Sequence, residues 1–277
     1  MEKQSVVTRQ RIKRRTRRMA RRLLPFVAAL FMATPLASPT KSVASSTSVA
    51  PTKATPASPG LTSLDQHLYD TYSSMNLEAQ GLRFEVFQKA MTGYLNMKQN
   101  DLLSAEKELL SVIDFDLPSN EKRLWVLDLA TKQVLFNTLV AHGHNTGEKK
   151  AKAFSNTNES NMSSLGFYVT TTEYQGKHGR SLKLKGLDEG FNTNAEARAI
   201  VMHGAEYVSE DFIRTYGRLG RSLGCPALPM DQHAEIIDTV TDGTCLFVNK
   251  SDAGYESKFL DQEVATAALQ TQSSPTS

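Results

Sequence analysis

The 277 residues contain only two cysteines, Cys225 and Cys245. A pair in an exported chain suggests a single disulfide. Cys245, however, sits in Thr244-Cys245-Leu246-Phe247-Val248, an apolar run that reads as a buried strand. A cysteine there is a small core residue, so two free thiols with different jobs are expected. The chain also lacks an apolar run of the about 20 residues that a membrane-spanning helix needs. The nearest approach, Leu23 to Leu36, is broken by Pro25, Thr34 and Pro35. Broad positive charge is missing too. Residues 1–22 hold ten basic side chains and one acid, while the formal total is only +3, so the body is mildly acidic. That excludes broad nucleic-acid binding.

What is there begins with the order basic, apolar, small, which describes a secretory signal. Residues 1–44 are read as a signal peptide or N-terminal membrane anchor, placing the protein in the periplasm or cell envelope, with a membrane tether if the anchor is kept. Residues 45–60 are Pro, Ser, Thr, Ala and Lys, the composition of a disordered linker. From Leu61 the pattern changes. Leu82, Val86, Phe87, Ala90, Met91, Tyr94 and Leu95 share one helical face. A short helix is expected from Asp65 to Met75, and another at 101–112. Residues 61–115 therefore form a helical segment, expected to pack on the next domain and narrow its cleft.

Residues 116–250 lack the regular β–α alternation of a doubly wound sheet. Arg123–Leu129 and Val134–Val140 flank a polar turn and read as a hairpin. Further strands are expected at 165–171, 181–185, 198–203 and 244–249. One helix is expected at 231–241, with Asp231 as its cap. The fold class is mainly β, and residues 251–277 are a polar tail.

Three chemistries compete around Arg214 to Leu228. In the first, Cys225 is an acyl-transfer nucleophile. A thiol needs a base, positive surroundings and amide donors for the oxyanion. His203 ends an apolar strand and is followed by Gly204, Gly224 frees the backbone to turn, and Arg218 and Arg221 are expected to lower the thiol pKa and to hold a substrate carboxylate. In the second, Gly220-Arg221-Ser222-Leu223-Gly224 matches the serine-hydrolase elbow, but no acid and histidine follow at suitable distance. In the third, His142, His144, His178 and His203 hold zinc. They lack the helical spacing of the common zinc-protease motif, so no metal is assigned.

The blocks Leu77–Leu82, Asp114–Ser119, Val140–Gly143, Ser163–Tyr168, Gly176–Gly179, Val201–Gly204 and Gly217–Pro229, in that order, resemble the murein L,D-transpeptidases. The closer match is a divergent branch with Ser-x-Gly-Cys-Pro-Ala-Leu-Pro. The resemblance implies a β-sandwich or barrel catalytic domain, with Cys225 as nucleophile, His203 as base and the Gly204 carbonyl as third element. It implies Ser222, Leu223 and Gly224 at the turn and oxyanion site, and a structural Gly166. It requires no cofactor, and its partners are peptidoglycan tetrapeptide stems as donor and acceptor. Two departures stand out. Leu223 replaces a histidine, and Pro226-Ala227 follows the cysteine where the family has an apolar residue and Arg or Asn. Arg218 or Arg221 is expected to replace the missing polar group, and His178 the missing histidine. L,D-carboxypeptidase, cross-link hydrolase and a silent wall-binding module remain as alternatives.

Overall fold

The computed structural model describes residues 62–177, 179–251 and 254–273. The signal or anchor, the linker and His178 lie outside them. Among the described residues no helix is long and apolar enough to cross a membrane.

Eight strands make one mixed sheet: β1 (Leu109–Asp114), β2 (Leu124–Asp128), β3 (Gln133–Thr138), β4 (Gly166–Gly176), β5 (Gly179–Gly186), β6 (Val201–Gly204), β7 (Ala227–Leu228) and β8 (Cys245–Asn249). Their spatial order is β3-β2-β1-β8-β4-β5-β6-β7. β1 runs parallel to β8, and β6 parallel to β7; the other pairs are antiparallel. The chain leaving β3 then bridges the opposite edge, with Ala141 against Ala227 and Gly143 against Ser222. The sheet is thus drawn into a half-barrel, and β7 is no longer an open edge.

Period-2 alternation divides the side chains between two cores. Leu110, Val112, Trp125, Leu127, Phe167 and Phe247 face the helices. Ile113, Leu124, Val126, Tyr168, Leu246 and Val248 face the barrel interior. β8 is buried on both faces, which is why its sequence reads as an unbroken apolar run. Phe167 and Phe247 stack at 4.4 Å, and a Cβ on Gly93 would lie 2.0 Å from the Phe167 ring. Each such ring buried contributes about 1.5–3 kcal/mol.

Helix α1 (Ser63–Ser74) starts at a capping box between Thr62 and Asp65. Helix α2 (Phe84–Gln99) carries the expected apolar stripe. The helix expected at 101–112 does not form. Asp101 turns into the left-handed region at φ 54°, and Leu109 to Asp114 becomes β1, a strand inside the sheet. Burial on both faces of β1 hid its alternation. The helical segment therefore ends earlier than residue 115, and that boundary would cut the sheet. α1 and α2 pack on the sheet, but in the cluster on the face away from Cys225, so they do not wall the cysteine.

Three further helices follow: α3 (Glu210–Tyr216), α4 (His233–Val240) and α5 (Gln262–Ser273). Gln232, not Asp231, precedes α4, and no side chain caps it. The expected polar tail is largely folded. Phe259, Ala265 and Ala268 are buried beside α1 and α2, and Asn96 Nδ2 donates to the Phe259 and Asp261 carbonyls at 2.7 and 2.8 Å. Alanines supply this contact, so composition alone did not reveal it.

Candidate active site

His203 and Val201 alternate with Met202 along β6, so they share one face while Met202 enters the barrel core. β7, brought alongside β6 by the Arg218–Pro226 loop, pairs Ala227 with His203 and Leu228 with Gly204. The loop delivers Cys225 to the start of β6. Val201 N–H donates to Cys225 Sγ at 3.4 Å, and Sγ donates to the Ala199 carbonyl at 3.7 Å. Ala199 holds φ 52°, an uncommon conformation for a residue with a Cβ. Both cysteines are free.

The His203 ring is buried, and its Nδ1 lies 2.9 Å from the Gly204 carbonyl oxygen. A carbonyl only accepts, so Nδ1 carries a proton and any further proton exchange falls to Nε2. Gly204 leaves no room for a side chain. A Cβ there would lie 2.6 Å from Cγ of His233, whose Nδ1–H donates to the Met230 carbonyl at 2.9 Å.

The cysteine turn is clamped by hydroxyls. Ser222 Oγ donates to the Cys225 carbonyl at 2.6 Å and accepts from Gly224 N–H at 3.1 Å. Its only hydrogen is spent on a carbonyl, which sets it apart from an elbow nucleophile. Gly224 N–H is spent as well, so Gly224 shapes the turn and does not face an oxyanion with that group. Ser163 Oγ accepts from Gly143 N–H and donates to the Gly224 carbonyl, both at 3.0 Å. Gly224 has φ 126°, and a Cβ there would meet the Met162 carbonyl oxygen at 2.8 Å, so only glycine fits. Leu223, at the tip, is 71% exposed. Gly166 has φ 104° with Asp188 packed against it, as a structural glycine would.

Burial pushes the Cys225 thiol above its ordinary value; Val201 N–H and the positive charge of Arg198 pull it back in part. Arg198 is the cation that sequence reasoning missed. It is anchored by the Ser155 and Met162 carbonyls at 2.7 and 2.6 Å and by Ser160 Oγ at 3.1 Å. Arg218 and Arg221 do not serve the thiol. Arg218 Nε lies 3.0 Å and Arg221 Nη1 2.8 Å from the two carboxylate oxygens of Glu148. Nothing in a single sequence ties an arginine in a loop between two alanines to a distant thiol. Tyr207 was missed too. Its hydroxyl is pushed up to about 12, first by burial and then by Cys225.

His142 is withdrawn from metal binding by its partners. Its Nδ1 accepts from Arg123 Nη2 at 2.9 Å, and its Nε2–H donates to the Gly147 carbonyl at 3.2 Å. Among the described residues no cluster of His, Cys, Asp or Glu is arranged to hold a metal ion.

The sequence model of the L,D-transpeptidase catalytic domain family matches residues 78–249. The chain belongs to that family. Solved L,D-transpeptidase structures include one from Mycobacterium smegmatis, at 15% identity and TM-score 0.34, covering 52% of this chain and 59% of that one. The chain thus spans about three fifths of that protein's length. An L,D-transpeptidase from Xylanimonas cellulosilytica (residues 123–326) is 14% identical, covering 69% of this chain and 94% of that one, at TM-score 0.31. The helical cell shape determining protein Pgp2 (K307A mutant) from Campylobacter jejuni is 11% identical, covering 66% and 63%, at TM-score 0.37. No curated protein matches the chain. The matched span of this L,D-transpeptidase takes in α2 and all eight strands, while α1 and α5 lie outside it. The family acts on peptidoglycan stem peptides.

Proposed function

We propose that this L,D-transpeptidase is an exported cysteine acyl-transferase that forms 3→3 cross-links between peptidoglycan stems. The observation that carries this is the assembly of Cys225 against β6, two residues from a histidine whose Nδ1 is held by its neighbour's carbonyl.

The chemistry follows from that tautomer. The thiol is raised and so protonated at neutral pH; it needs a base at the moment of attack. Nε2 of His203 takes the proton. The sulfur forms a bond to the carbonyl between stem residues three and four. The tetrahedral oxyanion is met by backbone N–H groups at the turn. The C–N bond then breaks, and D-alanine leaves with the proton from Nε2. An acceptor amine attacks the thioester, gives its proton to Nε2, and expels the thiolate, which is reprotonated. The Gly204 carbonyl steadies the imidazolium through Nδ1–H.

Incubating the protein with a disaccharide-tetrapeptide and weighing protein and products tests the reading. A stem-sized adduct on wild type, absent in Cys225→Ala, with D-alanine and cross-linked dimers released, is the expected result. Free tripeptide without dimers would instead make the protein an L,D-carboxypeptidase.

A further inference from the structure

A cavity of about 660 Å³ adjoins the cysteine turn, lined by Lys149, Lys150, Lys152 and Arg221 and by a single acid, Glu148. It is tied to the turn directly, because His144, on its wall, donates its N–H to the Ser222 carbonyl at 2.7 Å. Arg221 is fixed in place. Its Nη1 lies 3.3 and 3.2 Å from the carbonyls of His144 and Gly147, and its side chain is only 14% exposed. The three lysines are exposed.

Glu148 occupies this basic surface in a telling way. One carboxylate oxygen meets Arg221 at 2.8 Å and the other meets Arg218 at 3.0 Å, yet the side chain is 70% exposed. A lone carboxylate thus bridges two guanidiniums at the rim of an otherwise cationic cavity. A carboxylate this exposed is screened by solvent and adds little through its ion pairs, so exchanging Glu148 for an external carboxylate costs little. Guanidinium forks match carboxylate geometry, and the surrounding lysines favour the incoming charge.

We propose that this cavity is a carboxylate-binding subsite for a free carboxylate of a bound stem peptide, with Glu148 as its internal occupant, displaced on binding. The identity of the ligand rests on the proposed function; the seat itself rests on Arg218, Arg221 and Glu148. Removing the internal carboxylate strengthens the site, and removing a guanidinium weakens it.

The test uses the full chain with Cys225→Ala, so that binding is read without acylation. Calorimetry compares a tetrapeptide stem carrying free carboxylates with the same stem in which they are amides. Adding Glu148→Gln is expected to tighten binding of the carboxylate stem about tenfold, and Arg221→Gln to weaken it about tenfold, as for a charge-assisted contact. Lys150→Gln with Lys152→Gln, which changes exposed side chains only, shifts affinity the same way as Arg221→Gln. The amidated stem binds all versions alike. Equal binding of the carboxylate stem by every version would overturn the subsite while leaving the cysteine chemistry intact. If no version binds either stem, the stem assignment falls with the functional reading. Inorganic phosphate then decides the seat: binding lost in Arg221→Gln keeps an anion seat with another occupant, and no binding removes it.

Discussion

Arg123 Nη2 donates to His142 Nδ1 at 2.9 Å inside a wall where Arg123 is 0% and His142 1% exposed. Among the described residues no carboxylate pairs with the guanidinium there. It is held by the Val140 carbonyl at 3.1 and 2.8 Å and the Leu117 carbonyl at 2.9 Å, with its face 4.8 Å from the Phe115 ring. This pair stands behind the cysteine turn, since the His142 carbonyl accepts from Ser222 N–H at 3.0 Å.

The pair predicts a pH dependence. Burial first, and then the Arg123 charge, lowers the His142 pKa from 6.5 to about 4. Between these values the unfolded chain binds the proton and the folded chain does not. Stability is therefore complete above pH 6.5 and is lost as pH falls toward 4, by about 3 kcal/mol in all. Urea unfolding at pH 7.5, 6 and 4.5 should show this slope. His142→Gln should be less stable at pH 7.5 and have a flatter slope; an unchanged slope would remove His142 as the cause.

Ser222 and Cys225 separate cleanly by substitution. Ser222→Ala loses both hydroxyl bonds of the turn, each contributing about 1 kcal/mol, so turnover should fall roughly tenfold or more while acylation of Cys225 persists. Cys225→Ala should abolish the adduct. Mass spectrometry of the intact protein reads both, and loss of the adduct in Ser222→Ala would overturn the assignment of that hydroxyl to the turn.

Arg198, not Arg218, is the charge felt by the thiol. Arg198→Gln should move the pH midpoint of iodoacetamide alkylation upward, because a positive charge that favours the thiolate is removed. Arg218→Gln should leave it in place. Matching shifts in both variants would contradict the assignment.

Gly204 has ordinary backbone angles but no space. Gly204→Ala should destabilise the fold by about 1–3 kcal/mol through overpacking against the His233 ring. Adding His233→Ala should restore much of that stability. Thermal melts of the two variants check the pair, and no recovery would point to a different clash.

The β2–β3 hairpin was legible because two β-rich runs flank the polar turn at Thr131 and Lys132, and β3, at the sheet edge, keeps its alternation. The apolar stripe of α2 was legible for the same reason, one face being buried. β1 was not, because packing on both faces removes the period that distinguishes a strand from a helix. α5 was not, because its buried residues are alanines, whose small side chains carry little hydrophobic signal. At the site, Cys225, His203 and Gly204 lie in short contiguous motifs that folding brings together. The roles of Arg198, Arg218 and Arg221 depended on which loops meet across the barrel, a relation between distant segments that local sequence does not encode.

The bridge between Ala141 and Ala227 has a kinetic consequence. Pairing of segments so distant in sequence is slow, since the loop-closure entropy must be met before the contacts reward it. The wall behind the turn and the turn itself meet along that seam, where Gly143 also bridges Ser222. A chain in which helices and central strands have formed but the seam is open therefore lacks the frame that holds the cysteine turn. Closure of the cysteine turn and completion of the native topology therefore arrive in one step.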